Sequence, residues 1–160
     1  MPTTFELVVN GEARRVEAAA DTPLIYVLRN QLGLKGTRYG CGLEQCGSCM
    51  VLIDGQPTYA CSRAVDGAAG REILTVEGLG TTGSPHPLQQ AILAEQAGQC
   101  GYCLSGILMS GKALLDRNPA PSREQIVEAL DRHLCRCGSQ LRIIRAVERA
   151  AAAIRGETAQ

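Results

Sequence analysis

Three cysteines lie within nine residues in the segment CGLEQCGSC, residues 41–49. Four residues separate Cys41 from Cys46, two separate Cys46 from Cys49, and eleven more lead to Cys61. The C-x4-C-x2-C part is the plant-type ferredoxin spacing for a [2Fe–2S] cluster. A loop that wraps a cluster needs glycines for tight turns and close approach, and its amides then face the anionic sulfurs. Four glycines meet that need: Gly36, Gly40, Gly42 and Gly47.

The other four cysteines follow the pattern C-x2-C-x31-C-x1-C: Cys100, Cys103, Cys135 and Cys137. Each pair stands just before or at a predicted helix start, so two helix N-termini would face one shared site. Their positive ends suit an anionic, thiolate-rich cluster. Taken alone, this group leaves iron–sulfur and zinc both open, because a C-x-C pair is tight for tetrahedral zinc without excluding it. Beside the first group, it favours a second cluster.

Disulfides and zinc are the competing interpretations of the eight thiols. Disulfides are disfavoured because a chain of 160 residues with 45% hydrophobic residues needs no covalent staples, and its start shows no secretory signal. Zinc ribbons use two short C-x2-C pairs, and the first group has only one.

Composition excludes two classes of partner. The chain carries 16 basic and 16 acidic residues, aromatics make up 3%, and there is no Trp. This gives neither the basic footprint nor the stacking surface of a nucleic-acid-binding protein. No apolar run approaches the roughly 18 residues of a membrane span. We expect no membrane span in this chain, and a cytoplasmic location.

Hydrophobic periodicity divides the chain near Gly80. Before it, alternation around Asn10-Gly11 predicts a hairpin, and Asp54-Gly55 predicts another. Asp21 or Thr22 is expected to cap a helix that begins at Pro23 and runs to about Gly33.

After the linker-like segment 81–85, helical spacing takes over. Ser122 and Ser139 are the expected caps of the last two helices. Four helices are predicted: about 87–97, 103–117, 123–133 and 140–154. The pattern is α+β, with a strand-rich domain over 1–79 and a helical domain over 80–160.

The segments YGCGLEQCGSC, QCGYCLSG and HLCRCG together resemble the small iron–sulfur subunit of the molybdenum hydroxylases, the xanthine dehydrogenase/aldehyde oxidase family. The likeness runs from about Phe5 to about Ala152 and is strongest to small subunits of the nicotinate dehydrogenase and isoquinoline 1-oxidoreductase type. It implies a ferredoxin-like β-grasp domain followed by a four-helix bundle, arranged in a two-fold-like manner around the second cluster.

The resemblance also implies a function. The chain would be the non-catalytic electron-transfer subunit of an enzyme that hydroxylates an N-heteroaromatic, nicotinate-like substrate with oxygen from water. Electrons would pass from molybdopterin to the inner cluster, held by Cys100, Cys103, Cys135 and Cys137. They would continue to the outer cluster, held by Cys41, Cys46, Cys49 and Cys61, and then to an acceptor such as cytochrome c. An isoquinoline- or aldehyde-oxidising complex is the near alternative, and a free two-cluster ferredoxin-like carrier is the alternative from another class.

The implied partner is a large subunit that binds molybdopterin cytosine dinucleotide, and the resulting heteromer could be held at a membrane through partner subunits. Within this family resemblance, Gln99 and Cys137 would contact the pterin. A docked pterin needs Gln99 and the Cys135–Cys137 region open to a partner, whereas a free carrier would bury its inner cluster.

Two residues of the first loop depart from the family's common residues and could tune the outer cluster. We expect Glu44 to have an ordinary backbone angle and a solvated carboxylate whose charge lowers the reduction potential. Ser48 either donates to a cluster sulfur, which raises the potential, or faces solvent.

Overall fold

The computed structural model describes residues 2–157. Five strands form one sheet: β1 (Thr3–Val9), β2 (Glu12–Ala18), β3 (Met50–Ile53), β4 (Gln56–Tyr59) and β5 (Glu72–Leu74). The helices are α1 (Leu24–Tyr26), α2 (Pro87–Ala94), α3 (Leu104–Arg117), α4 (Arg123–Leu130) and α5 (Gln140–Ile154).

The sheet has the strand order β2-β1-β5-β3-β4, with β1 and β5 parallel and the other pairs antiparallel. The β1–β2 hairpin turns at Asn10 and Gly11, whose φ angles of 53° and 79° are those of the predicted turn. Leu24 and Ile25 of α1 are completely buried and belong to the same apolar core as the inward-facing strand residues. This β-grasp arrangement confirms the predicted fold of the N-terminal half.

The predicted helix from Pro23 to Gly33 is only partly right. Pro23 is the N-cap, and neither Asp21 nor Thr22 caps the helix. After Tyr26 the chain continues as a π-helical turn over Val27–Gln31. Val27 and Leu28 both lie fully inside the core. Packing therefore overrides the regular helical spacing that the sequence suggests.

The C-terminal half contains the four predicted helices, with α2 packed on α5 and α3 on α4. α2 and α4 end earlier than predicted, at Ala94 and Leu130. Ser122 caps α4 in a reciprocal bond pattern with Gln125, as expected. Ser139 is the N-cap of α5, but its hydroxyl accepts no bond from the helix, so its predicted capping role is wrong. Its backbone (φ −81°, ψ 7°) lacks the extended conformation that directs a capping side chain.

The two halves join through a small apolar cluster. Met50 and Leu52 of β3 pack against Met109 and Ala113 of α3, and all four side chains are buried. Each half also has its own core. The proposed boundary between residues 79 and 80 remains a prediction, and residues 1 and 158–160 of those ranges lie outside the described residues. Within residues 2–157, no helix is long and apolar enough to cross a membrane.

Candidate iron–sulfur centres

The loop before β3 directs backbone amides at one thiol. The N–H groups of Leu43, Gln45 and Cys46 point at Cys41 Sγ over 3.3, 3.3 and 3.4 Å. The N–H of Cys41 points in turn at Cys46 Sγ over 3.3 Å. Converging N–H groups of this kind form a concave anion site, so the loop is shaped to hold thiolates.

Glycines allow this close approach. A Cβ on Gly40 would lie 2.6 Å from Cys46 Sγ, which leaves no room for a larger residue. Gly42 and Gly47 have φ angles of 70° and 74°, in the left-handed region that glycine adopts without strain.

The thiols of the first group are arranged two by two. Cys41 lies within hydrogen-bonding reach of Cys46, and Cys49 lies within reach of Cys61. Cys49 and Cys61 are buried, whereas Cys41 and Cys46 are partly exposed. A [2Fe–2S] cluster takes four cysteines, two on each iron, and these two pairs fit that demand.

The second group shows the same pairing. Cys100 lies beside Cys137, and Cys103 lies beside Cys135. Cys103 is the N-cap of α3, and the N–H groups of Cys137, Gly138 and Ser139 point at the Cys135 thiol. Among residues 2–157, no three Cys, His, Asp or Glu side chains form a site suited to a single metal ion.

The pKa values of the free thiols follow their surroundings. Burial raises the pKa of Cys41, but the N–H donors outweigh it and lower that pKa to about 7. Burial raises the pKa values of Cys49 and Cys103 to about 12. Iron binding at these two positions must therefore release a proton from each thiol.

Glu44 does not adopt the ordinary backbone angle that we expected. Its φ is 58°, in the left-handed region, because the loop curls tightly around Cys41 there. The side chain is exposed as predicted, yet its carboxylate accepts a hydrogen bond from Ser62 Oγ. Ser62 follows Cys61 directly, so this bond ties two ligand-bearing segments together.

Ser48 is only 5% exposed, which rules out the solvent-facing alternative. Its hydroxyl oxygen would lie 3.6 Å from a Cβ on Gly40, and Cys46 Sγ would lie 2.6 Å from the same point. A hydrogen bond from Ser48 to a cluster sulfur remains a prediction.

The second group is open to the surface. Gln99 and Cys100 are exposed, and Cys137 is partly exposed. This is the arrangement that a docked partner requires, and it disfavours a free carrier with a buried inner cluster. The pterin contact of Gln99 and Cys137 itself remains a prediction.

A junction between the two cysteine groups escaped the sequence analysis. The N–H of Leu134 donates to the Cys46 carbonyl over 3.1 Å, and Ser105 Oγ donates to the Ser48 carbonyl over 3.3 Å. A Cβ on Gly106 would lie only 2.0 Å from the Gly47 carbonyl oxygen. A glycine inside a predicted helix, three residues after Cys103, was the available signal of this contact.

Two further side chains brace the junction. His133 is buried, and its Nε2 lies 2.7 Å from Ser110 Oγ on α3. Burial lowers the pKa of His133 to about 4, so the ring is neutral at pH 7. Tyr102 directs its N–H at Cys100 Sγ over 3.5 Å and donates its hydroxyl to the Tyr39 carbonyl. Tyr102 thus touches both ligand loops.

Comparison with known proteins agrees with this geometry. The family described as "2Fe-2S iron-sulfur cluster binding domain" matches residues 7–75, and "[2Fe-2S] binding domain" matches residues 75–148. A nicotinate dehydrogenase subunit from Pseudomonas putida is 56% identical over 151 residues, which cover 94% of this chain and 96% of that one. The chain belongs to the small iron–sulfur subunits of the molybdenum hydroxylases.

In two further members of this family the same unit is either a separate chain or part of a longer one. The alpha chain of isoquinoline 1-oxidoreductase from Brevundimonas diminuta is 48% identical, and the match covers 92% of this chain and 97% of that one. The crystal structure of the aldehyde oxidoreductase from Desulfovibrio desulfuricans superposes with a TM-score of 0.93 at 43% identity. That match covers 96% of this chain but 17% of the aldehyde oxidoreductase, so there the unit is part of a longer polypeptide.

As a small subunit of this family, the chain is the non-catalytic, electron-transferring component of an oxidoreductase complex. Its two matched domains account for two [2Fe–2S] clusters. The paired thiols, the converging amides and the glycines that allow close approach are the features that such clusters require.

Proposed function

We propose that this chain carries electrons, one at a time, from the molybdopterin of a large partner subunit to an external acceptor. The proposed complex hydroxylates nicotinate or a similar N-heteroaromatic substrate and takes the oxygen atom from water. Support comes from the 56% identity to the Pseudomonas putida nicotinate dehydrogenase chain over nearly the full length of both proteins. Each cluster would hold one electron at a time. The protein binds the clusters through its cysteines and determines how far apart they lie and how open they are to solvent.

The hydrogen bond from the Leu134 N–H to the Cys46 carbonyl carries this proposal. Leu134 precedes Cys135, a ligand of the inner cluster, and Cys46 is a ligand of the outer one. One hydrogen bond and a few covalent bonds therefore separate the two ligand sets. A chain that only stored iron would need no such link between its two sites.

The exposed face around Gln99 supports a partner docked at the inner cluster. The Gln99 amide can both donate to and accept from the edge of a pterin. We assign Gln99 and Cys137 to the contact with a molybdopterin cytosine dinucleotide in the partner. The eight cysteines keep their predicted roles, with Cys100, Cys103, Cys135 and Cys137 at the inner cluster and Cys41, Cys46, Cys49 and Cys61 at the outer one.

A cytochrome c, as a domain or a separate subunit, is the proposed acceptor at the outer cluster. The proposed location is the cytoplasm, with attachment to a membrane left to partner subunits. Isoquinoline or aldehyde oxidation is the second candidate, and the 48% identity to the alpha chain of isoquinoline 1-oxidoreductase favours isoquinoline over other alternative substrates.

The test is anaerobic reduction of the purified complex. Nicotinate, isoquinoline and benzaldehyde are added separately, and bleaching of the iron–sulfur absorption is followed with low-temperature paramagnetic spectra. We expect nicotinate to reduce both clusters and to gain ¹⁸O from labelled water. A chain that purifies alone with both clusters and no molybdenum would overturn the proposal. If isoquinoline reduces the clusters and nicotinate does not, isoquinoline replaces nicotinate as the proposed substrate.

A further inference from the structure

Within residues 2–157, three buried side-chain polar atoms have no hydrogen-bond partner: Thr37 Oγ1, His133 Nδ1 and Ser139 Oγ. Each belongs to a residue that stands within four positions of one of the eight cysteines. By contrast, the buried hydroxyls of Thr75 and Ser110 each have a partner at 2.7 Å. Because an unpaired buried polar atom costs free energy, buried polar groups usually find a partner. The position of these three atoms beside the cysteines points to the clusters as a source of partners.

Of the three atoms, Ser139 Oγ is the one beside an inner-cluster ligand. The Ser139 N–H points at the Cys135 thiol, and only three covalent bonds separate that nitrogen from Oγ. Ser139 is 5% exposed, so bulk solvent does not satisfy its hydroxyl. His133 Nδ1 faces the outer loop instead, since a Cβ on Gly47 would lie 2.3 Å from it. Thr37 belongs to the segment that precedes the outer group.

The backbone before α5 explains why the helix does not use this hydroxyl. Gly138 has a φ angle of 73°, in the left-handed region that glycine adopts without strain. The N–H groups of Cys137, Gly138 and Ser139 all point at the Cys135 thiol. The Ser139 backbone, with φ −81° and ψ 7°, lacks the extended conformation from which an N-cap hydroxyl accepts a helical N–H. The turn therefore serves the cysteine group rather than the cap of α5.

A sulfur of an iron–sulfur cluster is the acceptor that suits a donor at this position. Cluster sulfurs accept hydrogen bonds, and these bonds are among the factors that set the reduction potential. Reduction by one electron makes the cluster more negative, so a donor stabilises the reduced form more than the oxidised form. The Ser139 hydroxyl would add a side-chain donor to the three N–H groups, and rotation about one side-chain bond is enough to direct it.

We propose that Ser139 donates its hydroxyl to a sulfur of the inner cluster and thereby raises the reduction potential of that cluster alone. This inference rests on the proposed function, which assigns the second cysteine group to the inner cluster. The step that it affects is the arrival of one electron from the molybdopterin of the partner. The electron alone moves in this step, and the hydroxyl keeps its proton throughout.

A redox titration of the purified complex, followed by low-temperature paramagnetic resonance, measures the two clusters separately. Ser139→Ala removes the hydroxyl, and Ser139→Thr keeps it. Ser122→Ala is the matched control, because Ser122 is also an N-cap serine but its hydroxyl accepts the Gln125 N–H. The melting temperature of each variant is recorded beside its potentials.

We expect Ser139→Ala to lower the midpoint potential of the inner cluster and to leave the outer cluster unchanged. At a fixed electrode potential, the ratio of reduced to oxidised inner cluster should fall several-fold. Ser139→Thr should keep both potentials of the wild type. Ser122→Ala should show the opposite pattern, with a lower melting temperature from the lost cap and unchanged potentials.

An inner-cluster potential in Ser139→Ala equal to that of the wild type would overturn the inference and show that the hydroxyl bonds elsewhere. An equal shift in Ser122→Ala would overturn it as well. If Ser139→Ala does not retain the inner cluster, Ser139→Thr decides: an unchanged potential supports the bond, and a changed one contradicts it. A wild type that shows only one paramagnetic signal would instead overturn the assignment of the second cysteine group in the proposed function.

Discussion

Glu44 places a negative charge in the loop that carries Cys41 and Cys46. Since a cluster gains negative charge on reduction, this carboxylate opposes reduction of the outer cluster. We predict that Glu44→Gln raises the midpoint potential of that cluster by on the order of tens of millivolts, because the charge is screened by solvent. Glutamine retains an oxygen that can accept from Ser62, so the loop should keep its shape.

A redox titration followed by paramagnetic resonance measures both clusters of the Glu44→Gln variant separately. The inner cluster should keep its potential. Glu12→Gln, at an exposed acid on β2, is the control and should move neither. Equal shifts of both clusters in Glu44→Gln would contradict a local charge effect.

Ser48 acts in the opposite direction in our interpretation. Ser48 is buried, and its hydroxyl lies on the side of Gly40 where Cys46 Sγ also lies, so a hydrogen bond from it to a cluster sulfur would stabilise the reduced form. Ser48→Ala should therefore lower the midpoint potential of the outer cluster alone. The same titration checks this, and an unchanged potential would show that the hydroxyl bonds elsewhere.

At the scale of the elements, α3 contains two glycines with different surroundings. A Cβ on Gly106 would meet the Gly47 carbonyl oxygen at 2.0 Å, whereas a Cβ on Gly111 would meet Leu88 at an ordinary 3.5 Å. Gly106→Ala should destabilise the protein by about 1–3 kcal/mol through overpacking. Gly111→Ala should stabilise it by up to about 1 kcal/mol through helix propensity.

Thermal unfolding of the cluster-loaded glycine variants tests the pair. The melting temperature should fall for Gly106→Ala and stay level or rise for Gly111→Ala. Similar losses in both variants would mean that the contact between α3 and the outer loop is not specific.

His86 caps α2 by accepting the Leu88 N–H at Nδ1 over 3.2 Å, which requires a neutral nitrogen. Burial, and then the charge of Lys112, lower the pKa of His86. The unfolded chain therefore binds the proton more readily. The stability that this cap contributes is present above the ordinary histidine range near 6.5 and is lost as the pH falls through it.

We predict that the melting temperature of the wild type falls more between pH 7.5 and pH 5.5 than that of His86→Asn, which caps without titrating. His86→Ala should cost about 1 kcal/mol at pH 7.5. If the melting temperatures of wild type and His86→Asn change equally with pH, the protonation of His86 does not contribute to the pH dependence of stability.

The sequence predicted structure best where a residue type at a given spacing is typical of a single local structure or site. The two groups of four cysteines, the Asn10-Gly11 turn and the Ser122 cap follow from such local rules. The sequence predicted poorly where contacts between distant segments determine the local conformation. The π-helical turn after Tyr26, the left-handed Glu44 and the bond from Leu134 to Cys46 depend on contacts made only after folding, and no local pattern encodes them.

At the scale of the whole molecule, the two cysteine groups differ in one thiol. Each group has two partly exposed thiols and at least one buried thiol, but the fourth thiol is buried in the outer group and exposed, as Cys100, in the inner group. A docked partner would supply the protection that Cys100 lacks.

We therefore predict that the isolated chain loses its inner cluster several-fold faster than its outer cluster when dithionite and a ferrous chelator are added at pH 7, because access to the ligands governs the loss. The paramagnetic signals of the two clusters, followed over time, measure the two rates. In the assembled complex the inner cluster should become the slower one to leave. Faster loss of the outer cluster from the isolated chain would contradict the exposure of the inner ligands, and an unchanged order in the complex would contradict their coverage by the partner.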